Sequence, residues 1–99
     1  MSIALVDYGL GNIRNVAKAF ASLGERVTLT ADAADIAAAT QVVLPGVGAV
    51  RDAVSALRER GLWSVLQGAA ASGKPFLGIC LGMQLLFDVS HENGRYDCL

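Results

Sequence analysis

Cys80 is the residue of this sequence whose surroundings best suit covalent chemistry. It stands at the centre of Gly78-Ile79-Cys80-Leu81-Gly82, between an apolar run that predicts a strand and a stripe that predicts a helix. A nucleophile elbow needs this pattern, because its sharp turn strains the backbone and leaves no room for side chains two residues before and after the nucleophile. The start of a helix favours an anion, and a thiolate attacks carbonyl carbon. We therefore predict that Cys80 is a catalytic nucleophile; the alternative is a buried structural thiol.

A second loop, Pro45-Gly46-Val47-Gly48, also follows an apolar run that predicts a strand. Its glycines allow backbone N–H groups to approach a ligand closely. Together with the Leu81 N–H, such groups are able to form an oxyanion hole, which stabilises the charge that develops on a carbonyl under attack. The alternative is an ordinary Pro-Gly turn.

A base for this nucleophile is harder to find. A cysteine that attacks an amide needs a base to take the thiol proton and an acid to orient that base. His91 is the only histidine, and it lies in the polar stretch Ser90-His91-Glu92-Asn93-Gly94, which predicts a solvated turn rather than a base. Cys98 has no motif around it and is predicted to be a structural thiol. The spacing of the two cysteines fits no zinc pattern, so no metal site is predicted.

These loops need a scaffold of strands and helices to position them. Apolar runs predict strands at residues 3–6, 27–29, 42–44 and 76–79. Helices are predicted after Asn12, which is expected to cap the first of them, at residues 32–39, along two stripes between Val50 and Ala69, and along Leu85, Leu86 and Val89. This alternation predicts an α/β fold, an open and mostly parallel sheet with helices on both faces, whose ligands bind at the carboxyl ends of the strands.

Composition limits the other function classes. The 99 residues include eight Lys and Arg against nine Asp and Glu, for a net charge of -1, and 54% are hydrophobic. The even charge balance argues against nucleic acid as a partner, and no apolar run reaches the roughly 18 to 20 residues that span a bilayer, so no membrane helix or signal peptide is predicted. The scarcity of cysteines favours a reduced, cytoplasmic location. A domain of about 100 residues buries only around two thirds of its unfolded surface, so a chain this apolar leaves apolar side chains exposed. We therefore expect something else to cover these side chains.

Several segments resemble the class I (triad) glutamine amidotransferases, in which a cysteine takes ammonia from glutamine through a glutamyl thioester. They are Lys74-Pro75-Phe76-Leu77-Gly78-Ile79-Cys80-Leu81-Gly82-Met83-Gln84, Asp7-Tyr8-Gly9-Leu10-Gly11-Asn12, Pro45-Gly46-Val47-Gly48 and Gly82-Met83-Gln84-Leu85-Leu86-Phe87. Within the family, they are most similar to glutaminase subunits that pass ammonia to a cyclase in histidine biosynthesis. The similarity extends over the whole chain and departs modestly at Val50-Arg51, where the family more often has Phe-Gly.

The resemblance implies a role for each matching position. Cys80 is the nucleophile, and the backbone of Val47 and Leu81 supplies the oxyanion donors. Gly46 and Gln84 lie near the glutamine substrate. The loop that faces the partner, a TIM-barrel cyclase, contains Tyr8, Gly9, Gly11 and Asn12. No cofactor or metal is implied.

In the family, a His-x-Glu pair near the far end of a longer chain supplies the base and its carboxylate. Residues 1–99 are therefore expected to be the amino-terminal part of a type 1 glutamine amidotransferase domain, present as a partial domain and inactive alone. Three other functions stay open: a related chaperone or protease with a cysteine elbow, a fragment that only binds the cyclase, and a nucleotide-binding module. The last needs a third glycine after Gly9 and Gly11, at the position that Arg14 occupies.

Overall fold

A parallel sheet organises the part of the chain that the structure describes. The computed structural model describes residues 2–86, 89–90 and 96–99. Its main sheet contains β1 (Ile3–Val6), β2 (Thr28–Thr30), β3 (Gln41–Leu44) and β4 (Phe76–Gly78). The order is β2-β1-β3-β4, and all three neighbouring pairs are parallel. The predicted fold class is confirmed, and each strand end differs from the predicted one by at most one residue.

Helices connect these strands and follow the last one. Those within the described residues are α1 (Ile13–Ser22), α2 (Ala33–Ala38), α3 (Val50–Glu59), α4 (Trp63–Ala71) and α5 (Leu81–Gln84). In this part of the chain no helix has the length and apolar character needed to cross a bilayer. The prediction of a helix through Val89 is wrong, because α5 ends at Gln84 and Val89–Ser90 forms β5, which pairs antiparallel with β6 (Tyr96–Asp97). β-branched residues such as valine favour strands, where the pairing satisfies their backbone groups.

A side chain binds the carboxyl end of α2, whereas the side chain at the start of α1 makes no capping bond. The Lys74 ammonium donates to the carbonyls of Ile36, Ala37 and Ala39, at 3.2, 3.2 and 2.9 Å. A cation is favourable at the carboxyl end of a helix, so this contact joins the end of α2 to the residues that lead into β4. At the start of α1, Asn12 holds the N-cap position, but its side chain makes no capping hydrogen bond. The predicted side-chain cap at Asn12 is therefore wrong.

The two faces of the sheet are covered unequally. Alternate residues of a strand point to opposite faces. On the side that we call the closed face, Ala4, Val6, Val42 and Leu44 pack against buried side chains of α2, α3 and α4. On the side that we call the open face, Ile3, Leu5 and Val43 pack against α1, through Ile13, Val16, Ala17 and Phe20. No residue of α1 is buried, whereas α3 and α4 each bury three.

Candidate active site

The backbone at Cys80 makes the sharp turn from β4 to α5. Cys80 has φ 55° and ψ −115°, and it is the only non-glycine residue with positive φ in the described part of the chain. An L-amino acid in such a sparsely populated region costs on the order of 1 to 3 kcal/mol, so the surrounding structure must hold it there. Its thiol is exposed rather than buried. This is the backbone arrangement that a nucleophile elbow requires, and it does not fit a buried structural thiol.

Packing explains why glycine stands on both sides of Cys80. A Cβ atom on Gly78 would lie 2.7 Å from the carbonyl carbon and oxygen of Gly82 and from the Cα of Met83. A Cβ atom on Gly82 would overlap the carbonyl oxygen of Leu44 and lie 2.7 Å from its carbonyl carbon. The two ends of the turn therefore touch each other, and Gly82 rests directly on the end of β3. No side chain fits at either position without moving the backbone.

Cys80 borders a cavity of about 460 Å³ between α1 and the loop after β3. Cavities of roughly 300 to 1,000 Å³ are typical of small-molecule sites. The lining residues are Gly11, Asn12, Asn15, Val16, Ala19, Phe20, Pro45, Gly46, Val47, Ile79 and Cys80. Among the candidate site residues, Gly11, Asn12, Gly46, Val47 and Cys80 thus come together, as a site at the carboxyl ends of the strands requires. Tyr8, Gly9, Leu81 and Gln84 do not line this cavity.

The two candidate oxyanion donors are arranged differently from one another. The Leu81 N–H donates to the Gly46 carbonyl, with N and O 3.1 Å apart. The Gly46 carbonyl and the Val47 N–H belong to one trans peptide, in which these two groups point in opposite directions. Since the carbonyl points towards Leu81, the Val47 N–H points away from it. In this arrangement the Leu81 N–H is already hydrogen-bonded to the Gly46 oxygen, so it is not available to a substrate oxyanion.

Tyr8 does not have the surface position that its place in a partner-facing loop predicts. Its side chain is fully buried, and its hydroxyl donates to the Pro45 carbonyl at 2.6 Å. Burial raises the pKa of Tyr8 to about 12, so the phenol keeps its proton at neutral pH. The signal was present in the sequence, because the alternation along β1 that buries Ala4 and Val6 on the closed face continues to Tyr8. Sequence reasoning missed this buried hydroxyl.

The rest of that loop lies nearer the surface. Gly9 and Asn12 are exposed, and Gly11 is half-buried. A Cβ atom on Gly11 would lie 3.3 Å from both the Cα and the N of Gly46. The loop after β1 therefore packs backbone to backbone against the loop after β3. Gln84, at the end of α5, is exposed.

The remaining sequence predictions concern His91, Cys98 and metal binding. His91 lies outside the described residues. Cys98 is buried in the core. In residues 2–86, 89–90 and 96–99, no group of three or more His, Cys, Asp or Glu side chains is arranged to hold a metal ion. The candidate chemistry of the described site therefore centres on the Cys80 thiol and nearby backbone groups.

Known proteins match this sequence over almost its full length. The family model "Glutamine amidotransferase class-I" matches residues 4–93. Similar curated proteins include two named imidazole glycerol phosphate synthase subunit HisH. The one from Lactiplantibacillus plantarum is 58% identical over 93 residues, which are 94% of this chain and 45% of that protein. The one from Rhodopirellula baltica is 48% identical over 97 residues, 98% of this chain and 47% of that protein. The chain thus spans about half the length of the curated relatives it matches.

Proposed function

Since this chain belongs to the class I glutamine amidotransferases, we propose that it is the amino-terminal part of the glutaminase subunit of an imidazole glycerol phosphate synthase. The full-length protein hydrolyses glutamine and passes the ammonia to a cyclase partner in histidine biosynthesis. The observation that carries the proposal is the strained, exposed Cys80 beside a cavity of about 460 Å³. Identity of 48 to 58% to HisH subunits over nearly the whole chain supports it.

The proposed reaction starts with attack by the Cys80 thiolate on the side-chain amide carbon of glutamine. The carbonyl π electrons move to oxygen and give a tetrahedral oxyanion. When that intermediate collapses, the C–N bond breaks, ammonia leaves with an added proton, and a glutamyl thioester remains. Water then cleaves the thioester to glutamate and restores the thiol. The proton transfers need a base beyond the groups described here, and the proposal assigns that base to the remainder of the full-length protein.

Stabilising the oxyanion requires a change in the loop after β3. The Gly46 carbonyl now accepts the Leu81 N–H, so in the proposed reaction the peptide between Gly46 and Val47 rotates by about half a turn. The rotation removes the carbonyl and turns the Val47 N–H towards the same point. Each oxyanion donor is typically worth about 10² to 10³ in kcat. Rotation of this peptide, which forms or removes the oxyanion hole, therefore controls the rate of glutamine hydrolysis.

Substrate and partner contacts complete the proposal. Gly46 lines the cavity and contacts bound glutamine, and Gln84 lies close to the substrate in the full-length protein. The surface formed by Gly9, Gly11 and Asn12 faces the cyclase. The reaction uses no cofactor, and the subunit acts in the cytoplasm as one half of a heterodimer.

Substitution of the nucleophile tests the proposal. In the full-length protein assembled with its cyclase, Cys80→Ser is expected to abolish glutamine hydrolysis and to leave synthesis from added ammonia, because the cyclase chemistry resides in the partner. Cys98→Ser is the matched control and is expected to retain hydrolysis. A diazo-ketone analogue of glutamine should label Cys80 and spare Cys98 in peptide mapping, since reactivity follows thiolate character and exposure. Retained hydrolysis in Cys80→Ser, or equal labelling of the two cysteines, contradicts the proposal.

A further inference from the structure

The hydroxyl of Tyr8 joins two loops that meet beside Cys80. Tyr8 follows β1 closely, and its hydroxyl donates to the carbonyl of Pro45, 37 residues later, at 2.6 Å. Both groups are buried, so neither has water as an alternative partner. Removing one partner of a buried hydrogen bond is destabilising, because the other partner is left unsatisfied. The bond therefore holds the Pro45 carbonyl in one orientation.

The same hydroxyl also fills the space beside Gly46. A Cβ atom on Gly46 would overlap the Tyr8 hydroxyl oxygen and would lie 3.3 Å from the Cβ of Leu81. Gly46 is thus enclosed by Tyr8 on one side and by the start of α5 on the other. The peptide before Gly46 is fixed through Pro45, whereas the peptide after it has its carbonyl on the Leu81 N–H.

We propose that Tyr8 is a positioning residue for glutamine hydrolysis. Its hydroxyl fixes the Pro45 carbonyl, so that the peptide before Gly46 stays in place while the peptide between Gly46 and Val47 rotates. This rotation brings the Val47 N–H to the oxyanion. This inference rests on the proposed function. Without the hydroxyl, the preceding peptide turns as well, and the Val47 N–H reaches the oxyanion position in a smaller fraction of molecules. Tyr8 does not touch the substrate.

Tyr8→Phe isolates this role, because it removes the hydroxyl and keeps the ring in the core. In the full-length protein assembled with its cyclase, kcat for glutamine hydrolysis is expected to fall about 10-fold, with KM changed by less than about twofold. The alkylation rate of Cys80 by iodoacetamide should stay within about twofold of wild type, since alkylation needs the thiolate but no oxyanion hole. Mere loss of core packing does not produce this combination.

Thr30→Val is the matched control. Thr30 is buried, and its hydroxyl donates to Asp35 at 2.8 Å and accepts the Asp32 N–H at 3.0 Å, so this variant also removes a buried, bonded hydroxyl. The melting temperature is expected to fall in both variants, and kcat only in Tyr8→Phe. If kcat in Tyr8→Phe stays within twofold of wild type, or if Thr30→Val lowers it equally, the inference is overturned.

A second variant tests the same contact through the melting temperature, without glutamine turnover. Gly46→Ala is expected to lower the melting temperature, because its Cβ overlaps the Tyr8 hydroxyl. Adding Tyr8→Phe removes the overlapping oxygen, so the double variant should melt higher than Gly46→Ala alone. Purely additive effects overturn the inference. If the wild-type complex hydrolyses no glutamine, the proposed function fails, and this melting series still decides whether Tyr8 holds the loop.

Discussion

The closed and open faces of the sheet differ in how completely this chain covers them. Leu66 of α4 is fully buried on the closed face, whereas Leu77 of β4 is 49% exposed on the open one. Leu77 pairs in register with Val43, and parallel partners in register share a face. Full burial of a leucine side chain is worth about 1.5 to 3 kcal/mol, so the open face leaves part of this stabilisation unused. Stability within the described residues therefore comes mainly from the closed face.

The two faces of the sheet also play different parts at the candidate active site. The cavity beside Cys80 is lined by Phe20 and Ile79, which also pack on the open face. Gly82, by contrast, rests on the carbonyl of Leu44, whose side chain belongs to the closed-face core. The closed face thus supports the elbow, and the cavity lies on the open side. Helix α1, which packs on the open face through Phe20, also borders the cavity.

The largest effect expected from this contrast is on the closed face. In a polypeptide of residues 1–99, Leu66→Ala should lower the free energy of unfolding by about 2 to 5 kcal/mol, because it leaves a cavity among packed helices. Urea unfolding followed by far-UV circular dichroism measures the loss. A variant too unstable to fold agrees with the upper end of that range, and a loss below about 1 kcal/mol contradicts a closed, well-packed face.

A substitution at Gly82 tests whether the closed face supports the elbow. In the proposed full-length glutaminase, assembled with its proposed cyclase partner, Gly82→Ala is expected to lower kcat for glutamine hydrolysis about 100-fold, since a displacement of about 1 Å at the nucleophile has an effect of this size. Synthesis from added ammonia should be unaffected. Gly68→Ala is the control, because a Cβ at this position of α4 meets no atom within 4 Å other than its chain neighbours and the backbone of its own helix. Wild-type kcat in Gly82→Ala would show that contact with Leu44 does not hold the turn.

Local patterns in the sequence were sufficient to predict the sheet and the turn at Cys80. Strands buried on both faces are continuous apolar runs, so β1 and β3 stand out without any knowledge of their neighbours. The glycines two residues before and after Cys80 likewise record a local steric demand.

Contacts between distant segments could not be predicted in the same way. The bond from Tyr8 to Pro45 and the bond from Leu81 to Gly46 join loops that are far apart in sequence, and they exist only once the sheet places the loops together. Asn12 shows the reverse case, because the residue type suits a cap but the side chain makes no capping bond. Sequence therefore indicated which loops form the candidate site, and tertiary packing determined which groups in them are engaged.

The smallest effect is expected on the open face. In the polypeptide of residues 1–99, Leu77→Ala should lower the free energy of unfolding by less than about 1 kcal/mol, because a half-exposed side chain loses little burial and leaves no enclosed cavity. The measurement repeats the urea series used for Leu66→Ala, at a concentration where sedimentation shows a monomer. A loss as large as that of Leu66→Ala would mean that the open face is covered in solution. In the full-length protein the same substitution is expected to cost more, since the proposed subunit has additional chain to pack against this face, and the difference between the two losses measures that cover.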